Sequence, residues 1–533
     1  MSQVSRTWFR PRWFSRLPQA PRSRRSVAPL PRHAAGQHTP CAARRAAARG
    51  GPREVPFARR RTGRSAMTAP APPAPPQSAI SSPPSKRQEL VAIVAISAPL
   101  AAAYLAEFAI YVTDMMFVGR LGTVELAAVG LAGGLIYDAL SISIGVISIV
   151  GVMVAQARGR RDNAEASRCV RQGLWIAAMM SLLGIGFCLV LIPLLSLTGQ
   201  EADVLAFGED YTLALMWSFP ATMIYTVLAN FLAALGRAHV IMVVAIVSVG
   251  LNLIVNYTLV FGHFGFPALG VAGAGYGTVA VSLFTLACLS GYVRWSRAIE
   301  HYMIFPGLQR PEPRVWLDIL RHGLPVAGIT VAESGMFSVV AILMGLFGAA
   351  ALAASQIVFG VIDIGLVLAF AIAEGAAIRV AYGIGAGRPQ QSRNAGFLAL
   401  AMGSVIILVV AAIAWSVPEL VVGLFLGALE TADTEVTALA VSLFTVAAIF
   451  QIFDGLQMIA VQALRGLKDT LVPMLLACLG LWGFGITGGY LLGFVAGWGP
   501  QGLWWGLSLV LGVTALLLVW RFHIRTWRLT RRR

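Results

Sequence analysis

From residue 89 onward, long apolar runs alternate with short segments of Arg, Gly, Pro and acidic residues. The runs fall near 90–118, 127–156, 168–197, 206–235, 239–262 and 270–296, and then near 318–347, 351–383, 393–417, 434–464, 471–495 and 501–522. Each can cross a hydrocarbon core of about 30 Å, which takes roughly 20 residues as a helix, and only a helix pairs all of its own backbone groups there. The pattern predicts an all-α integral membrane protein of twelve transmembrane helices. Its segments are a tail (1–88), a first lobe (89–300, helices 1–6), a linker (301–317), a second lobe (318–523, helices 7–12) and a basic tail (524–533).

Composition agrees: 57% of residues are hydrophobic, 12% are charged, and mean hydropathy is +0.74. The formal charge of +17 would point to an acidic partner, but it is concentrated at one end. Residues 1–66 hold 16 Arg and one acid, Glu54, which leaves 25 basic and 23 acidic residues for the rest. The Arg/Pro-rich segment 1–88 is expected to be disordered, with no apolar run long enough to span a bilayer and prolines that oppose an amphipathic targeting helix. Met67 opens an ordinary polar lead-in, so residues 1–66 are read as untranslated, with a targeting or surface-binding tail as the alternatives. The five cysteines, Cys41, Cys169, Cys188, Cys288 and Cys478, lack metal-ligand spacing and read as packing residues.

Basic residues mark the cytoplasmic ends of membrane helices. Of the 25 after residue 66, only Arg120 falls on the side opposite the others, where the loop between helices 9 and 10 carries Glu430, Asp433 and Glu435. Both termini are therefore expected in the cytoplasm.

The chain also matches itself. A shift of 226 positions aligns Pro99 with Pro325, Glu107 with Glu333, Gly119 with Gly345, Gly122 with Gly348 and Leu126-Ala127-Ala128 with Leu352-Ala353-Ala354. Two parallel six-helix bundles related by a pseudo-two-fold axis along the membrane normal characterise secondary transporters, which bind substrate between the halves. The repeat-equivalent Pro99 and Pro325 are the expected helix-bend positions.

A charged group at bilayer depth costs at least about 2.5–3.5 kcal/mol, so each needs a reason. The candidates are Glu107 and Asp114 in helix 1, Asp138 in helix 2, Glu333 in helix 7, Asp363 and Glu374 in helix 8, and Asp454 in helix 10. An unpaired carboxyl group in low dielectric can take up a proton or bind a cation, which is the chemistry of an ion-coupled carrier. Glu107, Asp114, Glu333 and Asp454 are the favoured positions. Asp138, Asp363 and Glu374 have a plainer reading as hydrogen-bonded or water-facing acids. Phe337, Phe359, Phe450, Phe453 and Met458 are candidates to line an apolar pocket for flat cations, although such residues usually pack. Asn252 and Asn256, four apart in helix 5, present two amides to one face, as interhelical glue or as ligand contacts.

These residues resemble a known family. Asp114-Met-Met-Phe-Val-Gly-Arg-Leu-Gly122 followed by Glu125-Leu-Ala-Ala-Val129 is similar to the helix 1–2 signature of multidrug and toxic compound extrusion (MATE) transporters. Pro267-Ala-Leu-Gly-Val-Ala-Gly273, Ile378-Arg-Val380 with Gly385-Ala-Gly387, and Ala463-Leu-Arg-Gly466 follow in family order. The resemblance covers about residues 88–522 and implies the MATE fold with a V-shaped central cavity. It further implies efflux of organic cations or toxic compounds in exchange for Na⁺ or H⁺ by a monomer in the bacterial inner membrane. Small amphipathic cations and membrane lipid are the implied partners, with no nucleic acid and no cofactor beyond the coupling ion.

Within the NorM-like branch, Glu333 and Asp454 match the cation-coupling carboxylates and Asp114 the helix 1 aspartate, while Asn256 stands where another branch carries an aspartate. Three departures are Phe450 in place of a tyrosine, Glu107 at a position usually uncharged, and Glu374. A lipid-linked precursor flippase is the alternative within the superfamily, disfavoured by the acidic cavity candidates and the count of twelve. An intramembrane enzyme is disfavoured by the lack of Gly-x-Gly-Asp, His-x-x-x-His and P-loop patterns.

Overall fold

The computed structural model describes residues 84–531 apart from 198, 305, 307–309 and 417–433, so the N-terminal tail readings, together with Glu430 and Asp433, lie outside the described residues. The first half contains α1 (Lys86–Gly119), α2 (Thr123–Gly159), α3 (Asn163–Ser196), α4 (Ala202–Leu215 with Ser218–Ala234), α5 (Ala238–Phe261) and α6 (Gly270–Trp295). The second contains α7 (Pro313–Leu346), α8 (Ala349–Gly385), α9 (Pro389–Ser416), α10 (Thr434–Gly466), α11 (Leu471–Val495) and α12 (Gly499–Arg531). Among the described residues eleven helices are long and apolar enough to span a membrane, and α4 makes twelve when its two parts, bent by 46°, count as one span. The bend precedes Pro220, which has no N–H to give the Met216 carbonyl; that carbonyl instead accepts from Phe219 at 3.3 Å.

Local chemistry sets several boundaries. Ser85 caps α1 in a reciprocal box, its hydroxyl accepting from the Gln88 N–H at 3.2 Å while the Gln88 amide accepts from the Ser85 N–H at 2.9 Å. Asp162 caps α3 through the Glu165 N–H at 2.9 Å. Two boundaries differ from expectation. Helix α7 starts at Pro313 inside the expected linker, because proline suits a first helical turn whose N–H groups are unpaired anyway. Helix α12 runs on through Arg531, so most of the expected basic tail is helix.

The internal repeat is visible in three dimensions. A Cβ placed on Gly119 would meet Leu126 at 3.7 Å, and one on Gly345 would meet Leu352 at 3.9 Å, the same helix-to-helix corner built twice. The halves also pack reciprocally, α1 on α8 and α7 on α2, as a two-fold relation between equivalent helices requires. At the end carrying the basic loops α2 and α8 touch backbone to backbone: a side chain on Gly159 would strike the Tyr382 carbonyl, and one on Gly385 the Gln156 carbonyl.

Packing is asymmetric from end to end. At the basic-loop end one core runs through both halves, joining Ile147, Val150 and Ala155 of α2 to Ile319 of α7 and to Ala377 and Ala381 of α8. At the other end each half has a core of its own, one around Val129, Leu191 and Phe219, the other around Val340, Leu443 and Trp504. The two bundles are thus fused at one end and separately packed at the other, the arrangement of a V.

Candidate functional site

Helix α7 brings Glu333, half-buried, to the side of α10 that carries Asp454, which is 8% exposed. The two carboxylates lie within Coulombic reach of each other, and Gln457, one turn beyond Asp454, stands beside Glu333. Helix α11 fixes α7 at this level, the Trp482 indole donating to the Ala332 carbonyl at 2.9 Å. Asp363 of α8 is exposed and within reach of Asp454. Gln457 is 1% exposed, its amide set against the Glu333 carboxylate. Among the described residues no three His, Cys, Asp or Glu side chains are grouped as a metal centre; a cation here would draw on the two carboxylates and the Gln457 amide oxygen.

Asp114 belongs to a different cluster. Its Oδ1 accepts from Asn252 at 2.8 Å and Asn256 at 2.5 Å, and its Oδ2 from Thr278 at 3.1 Å, so one carboxylate of α1 ties together α5 and α6. The two asparagines are fully buried and their amide groups serve as glue, while their carbonyl oxygens have no partner.

Glu107 sits in the middle of α1, yet it is exposed; Tyr225 of α4 donates to it at 3.2 Å. Asp138 accepts from Ser334 across the two halves at 3.0 Å, in accord with its plainer reading.

Glu374 and the aromatic candidates each have partners among their neighbours. Glu374 is no free acid: Arg465 of α10 donates to it, and both are buried. Arg465 stands in the last turn of α10, whose apolar pattern continues up to it. Of the aromatic and methionine candidates Phe450 is buried, while Phe337, Phe359, Phe453 and Met458 are half-buried. Phe450 is 1% exposed, its ring 5.3 Å from Trp504, which lies tilted against Phe359 at 4.8 Å, itself edge-on to Phe337 at 5.3 Å. Phe453 packs against α12 at Gly512, and Met458 against a core between α8, α9 and α10. Pro99 and Pro325 lie inside α1 and α7, both continuous as helices.

A residue that sequence reasoning passed over is Glu89. It lies 1% exposed in the first turn of α1 and binds Arg379 of α8 with both oxygens. The signal available was an acid in the polar lead-in and an Arg at the matching end of a helix, with nothing to pair them.

The MatE family model matches residues 99–258 and again residues 325–491, two copies that begin at the repeat-equivalent prolines. The probable multidrug resistance protein NorM of Pseudomonas aeruginosa is 37% identical over 442 residues, covering 83% of this chain and 90% of the relative. The multidrug resistance protein NorM of Burkholderia vietnamiensis is 34% identical over 446 residues, covering 84% and 96%. In fold, the chain matches a crystal structure of a MATE protein in a bent conformation with TM-score 0.76 at 18% identity, over 84% of this chain and 99% of that one. A eukaryotic MATE transporter matches with TM-score 0.73 at 20% identity, over the same 84% and 99%.

Proposed function

The chain belongs to the MatE family of membrane transporters and is not an enzyme, and on that premise we propose that it is a multidrug efflux antiporter of the bacterial inner membrane, exporting organic cations in exchange for Na⁺ or H⁺. The observation that carries the reading is the Glu333, Asp454 and Gln457 cluster: two carboxylates and a buried amide on α7 and α10 of one half. Such a set suits a proton or a small cation taken up from water, and asymmetric placement in one half lets that ion bias one conformation.

With the basic loops in the cytoplasm, the fused core closes the cytoplasmic side and the separately packed ends part outward. In this outward state Na⁺ or H⁺ occupies the Glu333 and Asp454 pair, with Asp114 as a further acidic site in the first half, and bound cargo loses affinity and leaves. Both ligands act on one equilibrium, so ion flow inward drives cargo outward. Efflux from proteoliposomes under an imposed sodium gradient, then an imposed proton gradient, tests this: one gradient drives export, and a response to neither ends the antiport reading.

A further inference from the structure

Glu107 and Glu333 are equivalent in the internal repeat, yet they stand in opposite chemistry. Around Glu333 stand the Asp454 carboxylate and the Gln457 amide. Around Glu107 they are tyrosines. Tyr225 of α4 donates its hydroxyl to Glu107 at 3.2 Å, Tyr104 lies one turn away on α1, and Tyr137 of α2 lies within Coulombic reach of both Glu107 and Asp363 of the opposite half. The Tyr104 ring meets Phe370 of α8 at 5.3 Å, which is where the two halves close, and Glu107 lies one turn beyond that contact on the side where they part. Glu107 is exposed and the Tyr137 side chain is 64% exposed, so the carboxylate and the ring are open to a ligand from the cleft. Among the described residues no basic side chain pairs with Glu107; the nearby Arg465 is bound to Glu374.

We propose that Glu107 with Tyr104, Tyr137 and Tyr225 forms the cargo site of this transporter, a floor of the cleft that takes a bulky organic monocation. The inference rests on the export reading above and deepens it. A single carboxylate among tyrosine side chains is the complement of a weakly hydrated cation with apolar substituents, which gains from aromatic surface and needs only one counter-charge. A bare sodium ion needs several oxygen ligands at once and finds them on the Glu333 side. The repeat has therefore diverged into two sites at one level of the membrane, cargo on the first half and coupling ion on the second. A positive charge in either site raises the cost of one in the other across the cleft.

The test is equilibrium binding of tetraphenylphosphonium to the purified full-length protein in detergent, with monodispersity checked for every variant. Glu107→Gln is expected to weaken binding about ten-fold or more, Tyr137→Ala about three-fold or more, and Tyr137→Phe, which keeps the ring, by less than about two-fold. Glu209→Gln, at an exposed acid of α4 outside both sites, is expected to bind as the wild type does. Wild-type affinity in both Glu107→Gln and Tyr137→Ala, or loss of binding in Glu333→Gln in place of Glu107→Gln, overturns the cargo site and leaves antiport standing. A wild-type protein that neither binds the probe nor exports it under either gradient overturns the organic-cation reading and this inference together.

Discussion

Arg379 of α8 grips Glu89 of α1 with two parallel hydrogen bonds, Nε to Oε1 and Nη2 to Oε2, each 2.8 Å, across the boundary between the two halves. Gln391 of α9 adds a third contact to the same carboxylate at 3.1 Å. The guanidinium also lies 5.2 Å from the centre of the Tyr382 ring, with Arg158 of α2 at 5.7 Å from that ring, so the clamp spans both halves from each side. A fork of this kind, buried at its carboxylate end, is strong while intact and expensive once one partner is gone. Any rocking that opens the basic-loop end must break it.

Glu89→Gln keeps the size of the side chain and removes its charge, which leaves Arg379 uncompensated and disfavours the closed arrangement by about 3–5 kcal/mol. Ser97, 4% exposed and packed near Gly375 of α8, is a reporter of that closure. In a background without other reactive cysteines, Ser97→Cys should be protected from an impermeant maleimide and become reactive several-fold faster, about five-fold or more, when Glu89→Gln is added. Equal rates would show that the clamp does not hold the halves together.

The Glu374 and Arg465 pair is expected to stabilise the second half without taking part in coupling. Removing either partner alone strands a buried charge, so Glu374→Gln should cost about 3–5 kcal/mol, seen as a lower unfolding temperature in detergent. The double variant Glu374→Gln with Arg465→Met should recover much of that loss. A double variant less stable than both single ones would contradict the assignment.

Asn256→Leu removes one of the three donors to Asp114 and should lower stability by about 1–3 kcal/mol, because the remaining carboxylate is left under-satisfied in the interior. Thermal unfolding of the purified variant measures it. An unchanged midpoint would mean that the amide does not hold the carboxylate.

Much of the architecture was legible because membrane helices announce themselves by length and composition alone, and because the two halves kept Pro99 and Pro325, Gly122 and Gly348 in one register. The bend in α4 was within reach, since Pro220 marks it. What the sequence hid were partnerships. Glu89 and Arg379 are 290 positions apart, and no local pattern says that the first turn of α1 meets the end of α8. Arg465 and Glu374 were each visible, the one as a basic residue near a loop and the other as a lone acid; only the packing of α8 on α10 shows that they neutralise each other. Sequence proximity to the acids could not show that the Phe450 ring is buried against Trp504. The tyrosines around Glu107 went unnoticed for the converse reason, coming from three helices.

Coupling through Glu333 and Asp454 is tested most directly by driven transport. In proteoliposomes, movement of tetraphenylphosphonium driven by an imposed sodium or proton gradient should respond to one of the two gradients in the wild type. In Glu333→Gln and in Asp454→Asn that driven movement should fall about five-fold or more, while tetraphenylphosphonium binding is retained. Variants that still convert the gradient into cargo movement at the wild-type rate would contradict the assignment of the coupling site.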